Sequence, residues 1–229
     1  MTNVVGREEW LEARKALLAR EKAFTREREA LVAARQALPR VKIEEPYAFD
    51  GADRTHTLRD LFGEKRQLIV YHFMFAPEWE AGCKSCSLVA ETFDRTVVHL
   101  AARDTAFYAV SRAPIDKLLA YRSRMGWTFP WVSSGRSRFN FDFSVSFSDE
   151  AVKAKTLVDY NYRQVAADST DLPGFSSFLR EGDDVFHTYS TYRRGVESLM
   201  NIYTLLDITP LGRHEEGRGM AWLRRRDEY

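Results

Sequence analysis

The run QLIVYHFMF, residues 67–75, constrains the fold more than any other stretch of the chain. It is strand-length, rich in β-branched and aromatic residues, and nearly continuous in its apolar character. A strand with one wet face alternates polar and apolar residues; a continuous run belongs to a central strand covered on both faces. Helices must supply that cover, and the next hundred residues contain them. A loop, APEWEAG at 76–82, leads to Cys83. From Lys84 to Ala102 the apolar positions Val89, Phe93, Val97 and Leu100 follow helical spacing. TAFYAVS, 105–111, is a second strand. Pro114 suits the first turn of a helix carrying Leu118, Leu119 and Tyr121, which Gly126 stops. FPWV at 129–132 is a short strand. This alternation predicts a parallel arrangement with right-handed crossovers.

The flanks read differently. Residues 7–38 lack Gly and Pro and are rich in Ala, Leu, Arg and Glu, so they predict a helix that Pro39 ends. Trp10, Leu17, Phe24, Leu31 and Leu38 recur every seven residues, but Arg14, Glu21, Arg28 and Arg35 stand four positions after them. A two-position coiled-coil seam is therefore missing. An unbroken helix would span about 48 Å, long for one domain to cover, so it is expected to pack on the body and on a second subunit. The alternative is a helix broken near Thr25 and folded back. Asp50-Gly51 marks a turn between residues 47–49 and 55–58, and LRDLFG at 58–63 reads as a short helical turn. The segment 135–170 alternates Phe with polar residues, from Phe139 to Phe147, and reads as an inserted hairpin or an irregular cover for the site. Strand 175–179, a turn at Gly182 and strand 185–189 form an antiparallel pair. Residues 195–206 form a last helix before a charged tail.

Thirty-four basic and 33 acidic residues leave a net charge of +1, so no global field favours nucleic acid or a membrane surface. No run approaches the ~20 apolar residues of a membrane helix. The first ten residues turn charged too early for a signal peptide, which makes the cytoplasm the expected location. The two cysteines, Cys83 and Cys86, lie three apart. In a reducing compartment such a pair is redox-active or metal-binding rather than a staple. They do not complete a four-ligand structural zinc site.

A thiolate, not a thiol, attacks disulfides. A cysteine where strand and loop turn into a helix meets free backbone N–H groups that favour the anion. Cys83 holds that place and is the expected nucleophile. Cys86, one turn further in, would resolve the mixed disulfide. Lys84 favours the thiolate, while Glu78 and Glu80 oppose it. The alternative is two small buried hydrophobes on a helix.

Leu172-Pro173 precedes a strand, a Gly turn and an antiparallel partner, an order that resembles thioredoxin-like proteins. There the proline is usually cis and packs beside the cysteines, where substrate docks; Pro130 is a weaker competitor. Pro173 and Trp79 are accordingly expected to bind substrate. The segments LIVYHFMF, GCKSCS, FYAVSRAP, MGWTFPWVSS, NFDFSVSF, VFHTYSTY and MAWLRRRDEY spread along nearly the whole chain. On these, the chain resembles the bacterial family catalogued as domain of unknown function 899, described as predicted dithiol–disulfide oxidoreductases of the thioredoxin-like superfamily. The resemblance implies an α/β, thioredoxin-like central mixed sheet flanked by helices, in a domain over 40–229 with a helical extension at 1–39. It carries the redox site to Cys83 and Cys86 only. Peroxiredoxins share the layout, but where they place Thr before the nucleophile this chain has Glu80, and Pro77 is one residue too close. Peroxidase activity is therefore not expected.

Two other classes compete. His72 or His187 with Cys83 and Cys86 would make a soft Cu(I) site; otherwise His72 is a hydrogen-bonded core residue. The aromatic residues Trp127, Phe129, Trp131, Phe139 and Phe141 line either a pocket or the core. In the third class the N-terminal helix is the working surface of a non-catalytic homodimer. The reading adopted is dithiol–disulfide exchange with a protein or small thiol. It needs no organic cofactor and takes electrons from a cellular reductant.

Overall fold

A computed structural model describes residues 3–229, and the chain divides after Pro39 into two compact units. The first contains helix α1, Arg7–Gln36, which is unbroken. Thr25 does not interrupt it; its hydroxyl donates to the Glu21 carbonyl one turn back at 3.0 Å, within the helix. The broken-helix reading is thus corrected. None of the helix residues is buried. Among the described residues, no helix is long and apolar enough to cross a membrane.

In the second unit short strands β1 (Val41–Lys42), β2 (Ala48–Asp50) and β3 (Thr55–Thr57) precede the central strand β4 (Gln67–His72). Helices α2 (Lys84–Phe93) and α3 (Val97–Ala101) lead to β5 (Thr105–Ser111). Helix α4 (Ile115–Met125) leads to β6 (Trp131–Ser133). Gly126 closes α4 in the left-handed conformation, φ 69°, that glycine adopts without steric cost. After α5 (Phe139–Asp142) and α6 (Asp149–Ala154) comes a separate hairpin, β7 (Leu157–Tyr160) and β8 (Arg163–Ala166). Strands β9 (Gly174–Glu181) and β10 (Asp184–Tyr192) and helices α7 (Arg194–Glu197) and α8 (Asn201–Asp207) complete the unit.

Eight strands form one mixed sheet in the order β1-β10-β9-β4-β5-β6-β2-β3. Strand β4 runs parallel to β5 and antiparallel to β9, and β9 runs antiparallel to β10. The β4–α2–α3–β5 crossover followed by the β9–β10 hairpin on the other side of β4 is a thioredoxin-like arrangement. Side chains alternate across β4. Leu68, Val70 and His72 face one side, where Phe139, Phe143, Val145 and Phe178 also pack. Tyr71 faces the other, with Phe73, Cys86, Phe93 and Phe175.

Three expectations change. The helix expected over 84–102 breaks at Asp94, whose Oδ1 accepts from the N–H groups of Thr128 and Phe129 at 2.6 and 3.2 Å. Thr96 turns its hydroxyl back to the Phe93 carbonyl, and the chain restarts as α3. The last helix likewise splits into α7 and α8. The 135–170 insertion sends its buried phenylalanines to the sheet face opposite the cysteines, so that part does not cover the site. Trp127, Phe129, Trp131 and Phe139 are core, and Phe141 is exposed.

Candidate functional site

The register of the sheet assembles the site. His72 at the end of β4 pairs with Gly174 at the start of β9, so Pro173 arrives beside the loop that leaves β4. That loop returns when the Cys83 N–H donates to the Met74 carbonyl at 3.1 Å. Cys83 is the N-cap of α2, and Cys86 lies one turn inside. Both are free thiols; Cys83 is half-buried and Cys86 is only 1% exposed. Cys83, Cys86 and Pro173 line one cleft of ≈ 540 Å³. The Leu172–Pro173 bond is trans, like every described peptide bond, which corrects the cis expectation.

The two thiols are driven apart electrically. The Cys86 thiol donates to the Cys83 sulfur, and this is the largest influence on it; the N–H groups of Cys86 and Ser85 and the Ser85 hydroxyl add to it. Together they outweigh desolvation and hold the Cys83 thiol at about 6. Lys84, Glu78 and Glu80 are not among the leading influences. Burial pushes the Cys86 thiol well up, and the hydrogen bond to Cys83 and the charge there push the same way. The arrangement favours the anion at Cys83 and the protonated thiol at Cys86.

Support comes from residues that sequence reasoning missed. Arg225, in the charged tail, donates from Nη2 to the Gly82 carbonyl at 3.0 Å and from Nε to the Tyr121 hydroxyl at 3.1 Å. The Tyr121 and Ser87 hydroxyls lie 2.9 Å apart, and Ser87 donates to the Cys83 carbonyl at 2.9 Å. Ser87 has one proton and spends it on that carbonyl, so Tyr121 is the donor to Ser87. A directed chain therefore runs from the Arg225 cation to the backbone of Cys83. The only sequence signal for it was the cluster of arginines in the tail. Gly82 is required by crowding, because a Cβ there would meet Phe73 Cε1 at 2.6 Å and Tyr121 Cε1 at 2.9 Å.

Trp79 packs on the same core but does not line the cleft; its carbonyl accepts from Lys117 Nζ at 2.8 Å. The copper alternative is corrected. His72 points to the opposite face of the sheet, stacks on Phe139 and Phe143, and bonds Ser176 Oγ at 2.8 Å. His187 reaches Ser190 Oγ at 2.7 Å and packs against Phe143 and Phe178 on that same face. No cluster of three or more His, Cys, Asp or Glu suited to a metal ion occurs among the described residues.

The model of the family described as bacterial protein of unknown function (DUF899) matches residues 1–229. No curated protein matches the chain significantly. Among solved structures it is similar to Peroxiredoxin Q of Xanthomonas campestris, at 14% identity and a TM-score of 0.48, covering 68% of this chain and 85% of that one. It is also similar to the peroxidoxin BcpB of Mycobacterium tuberculosis, at 10% identity and a TM-score of 0.45, covering 72% and 89%.

Proposed function

The chain belongs to the DUF899 family of bacterial proteins, and from that premise we propose that it is a dithiol–disulfide oxidoreductase. Cys83 attacks, Cys86 resolves, and Pro173 borders the docking edge. The observation that carries this reading is the opposed pair of thiols lining one cleft, Cys83 lowered to about 6 and Cys86 raised. The Cys83 thiolate breaks a substrate disulfide and forms a mixed disulfide, releasing one substrate thiolate. Cys86 gives up its proton and attacks the Cys83 sulfur, releasing the second thiolate. The substrate gains two electrons, and a cellular dithiol reductant returns the pair to its starting state. A reducing cytoplasm is the fitting compartment. Peroxide reduction is not proposed, because a carboxylate, Glu80, stands where peroxiredoxins place a hydroxyl.

The test is to equilibrate the reduced protein with glutathione buffers of graded potential. Both thiols should disappear together, and the product should be an intramolecular disulfide in a chain of unchanged oligomeric state. Stable glutathionylation of Cys83, with Cys86 still free, would overturn the proposal.

Self-association through α1 is part of the same reading. Trp10, Leu17, Phe24 and Leu31 are 46%, 47%, 70% and 49% exposed, and they recur along one helix at heptad spacing. A second copy would cover that stripe. Removing residues 1–38 should convert a dimer to a monomer in sedimentation while leaving disulfide exchange intact. An unchanged mass would remove α1 from assembly.

A further inference from the structure

The cleft beside Cys83 differs from an open docking edge. Its walls are largely apolar, supplied by Met74, Val89, Val196, Met200 and Met220. Thioethers on unbranched side chains make an adaptable apolar surface. Three arginines also border it, and two are already neutralised. Arg194 pairs with Glu197 at 2.6 Å. Arg213 pairs with Glu197 and with Asp207 and lies over the Tyr203 ring at 3.9 Å. The remaining carboxylate of the cleft, Glu215, accepts from the Tyr203 hydroxyl at 2.6 Å.

Arg193 is different. It is exposed, and no described carboxylate lies within ion-pair distance of it. Its guanidinium stands 6.0 Å from the Tyr160 ring centroid. Its backbone adopts φ 48°, ψ −124°, a region that a residue with a Cβ enters only at a cost. The Tyr160 hydroxyl, accepting from the Arg193 N–H at 3.2 Å, helps hold it there. A strained backbone thus presents an unneutralised cation at the rim of an apolar cleft that ends on a reactive sulfur. At the rim, Arg193 can therefore pair with one negative group on an otherwise apolar ligand that stays clear of Glu215.

We propose that the Cys83–Cys86 pair exchanges with a small, mostly apolar thiol–disulfide couple carrying one carboxylate, which Arg193 receives at the rim. This rests on the dithiol reading above and narrows its substrate class. With the protein oxidised, one substrate thiolate attacks the Cys83 sulfur and releases Cys86, which takes a proton. The second substrate thiolate attacks the mixed disulfide and releases Cys83 as a thiolate. The substrate loses two electrons and leaves as its disulfide; run backward, the same steps oxidise the protein.

The probes are dihydrolipoate, its neutral amide dihydrolipoamide, and glutathione, each used to reduce the oxidised full-length protein in single-turnover experiments. Dihydrolipoate should react about 2- to 5-fold faster than dihydrolipoamide, the expected scale for one solvent-exposed ion pair, and faster than glutathione. Arg193→Gln should bring the ratio of the first two toward one, and Arg193→Lys should restore part of it. Equal rates for acid and amide in the wild-type protein would overturn the inference while leaving dithiol exchange standing. So would an acid-to-amide ratio unmoved by Arg193→Gln. Failure of the oxidised protein to contain a Cys83–Cys86 disulfide would overturn the underlying reading and this inference together.

Discussion

Cys83 should be alkylated about 18-fold faster than an ordinary thiol near pH 5.5, but only about twofold faster near pH 7. Two effects compete. A thiol held at about 6 is roughly 90% ionised at about pH 7, against roughly 3% for a thiol of pKa ~8.5, a gain of about 30-fold. A less basic thiolate is also a weaker nucleophile, and a Brønsted slope of ~0.45 over ~2.5 pKa units takes back about 13-fold. Near pH 5.5 the ionisation gain grows to about 240-fold while the nucleophilicity loss stays the same, so ionisation wins clearly only in acid. Cys86, nearly sealed and with its pKa raised, should not react in the folded protein. Cys83→Ser should therefore abolish alkylation of the native chain. Cys86→Ala removes the thiol that donates to the Cys83 sulfur. That change should raise the Cys83 pKa, erase most of the acid-range advantage, and leave any mixed disulfide unresolved. Mass spectrometry of the labelled chain checks each outcome. Equal labelling of both cysteines in the native protein would contradict the assigned roles.

The second large effect is on stability. Gly82→Ala should cost about 2–3 kcal/mol, within the range for overpacking a filled site. The added methyl group would meet Phe73 Cε1 at 2.6 Å and Tyr121 Cε1 at 2.9 Å. Neither ring can swing aside. Phe73 is packed against Tyr71, Trp127 and Trp131, and the Tyr121 hydroxyl is tied to Ser87 and Arg225. The backbone would have to move instead, and Gly82 immediately precedes Cys83. A loss of that size corresponds to a fall in Tm of roughly 5–10 °C for a domain of this size. Exchange activity should fall with it. A melting temperature equal to that of wild type would show that the loop yields more freely than its packing implies.

The parts of the fold that were legible in the sequence were those set by local pattern. The apolar run at 67–75 marked β4, and the position of Cys83 after its loop placed that cysteine at a helix N-terminus. Gly126 and Gly182 marked their turns. Pro173 was placed from the order of elements alone. Local pattern failed where long-range bonds compete with it. Asp94 serves the Thr128 and Phe129 amides instead of continuing a helix, a choice invisible until residue 128 is in place. The tail is the same case, because Arg225 reaches Gly82 across 143 positions. His72 was legible as a hydrogen-bonded core residue, and it is one. Its neighbour Tyr71 faces the cysteines, and the two-residue alternation of a strand sends His72 the other way.

The most direct test is a pH titration of thiolate absorbance in reduced wild-type protein, with Cys83→Ser as the control. A single transition with its midpoint at about 6, absent from the control, is the expected result. A first transition in the range of an ordinary thiol, ~8.5 or above, would mean that Cys83 carries no stabilised anion and would contradict the proposed chemistry.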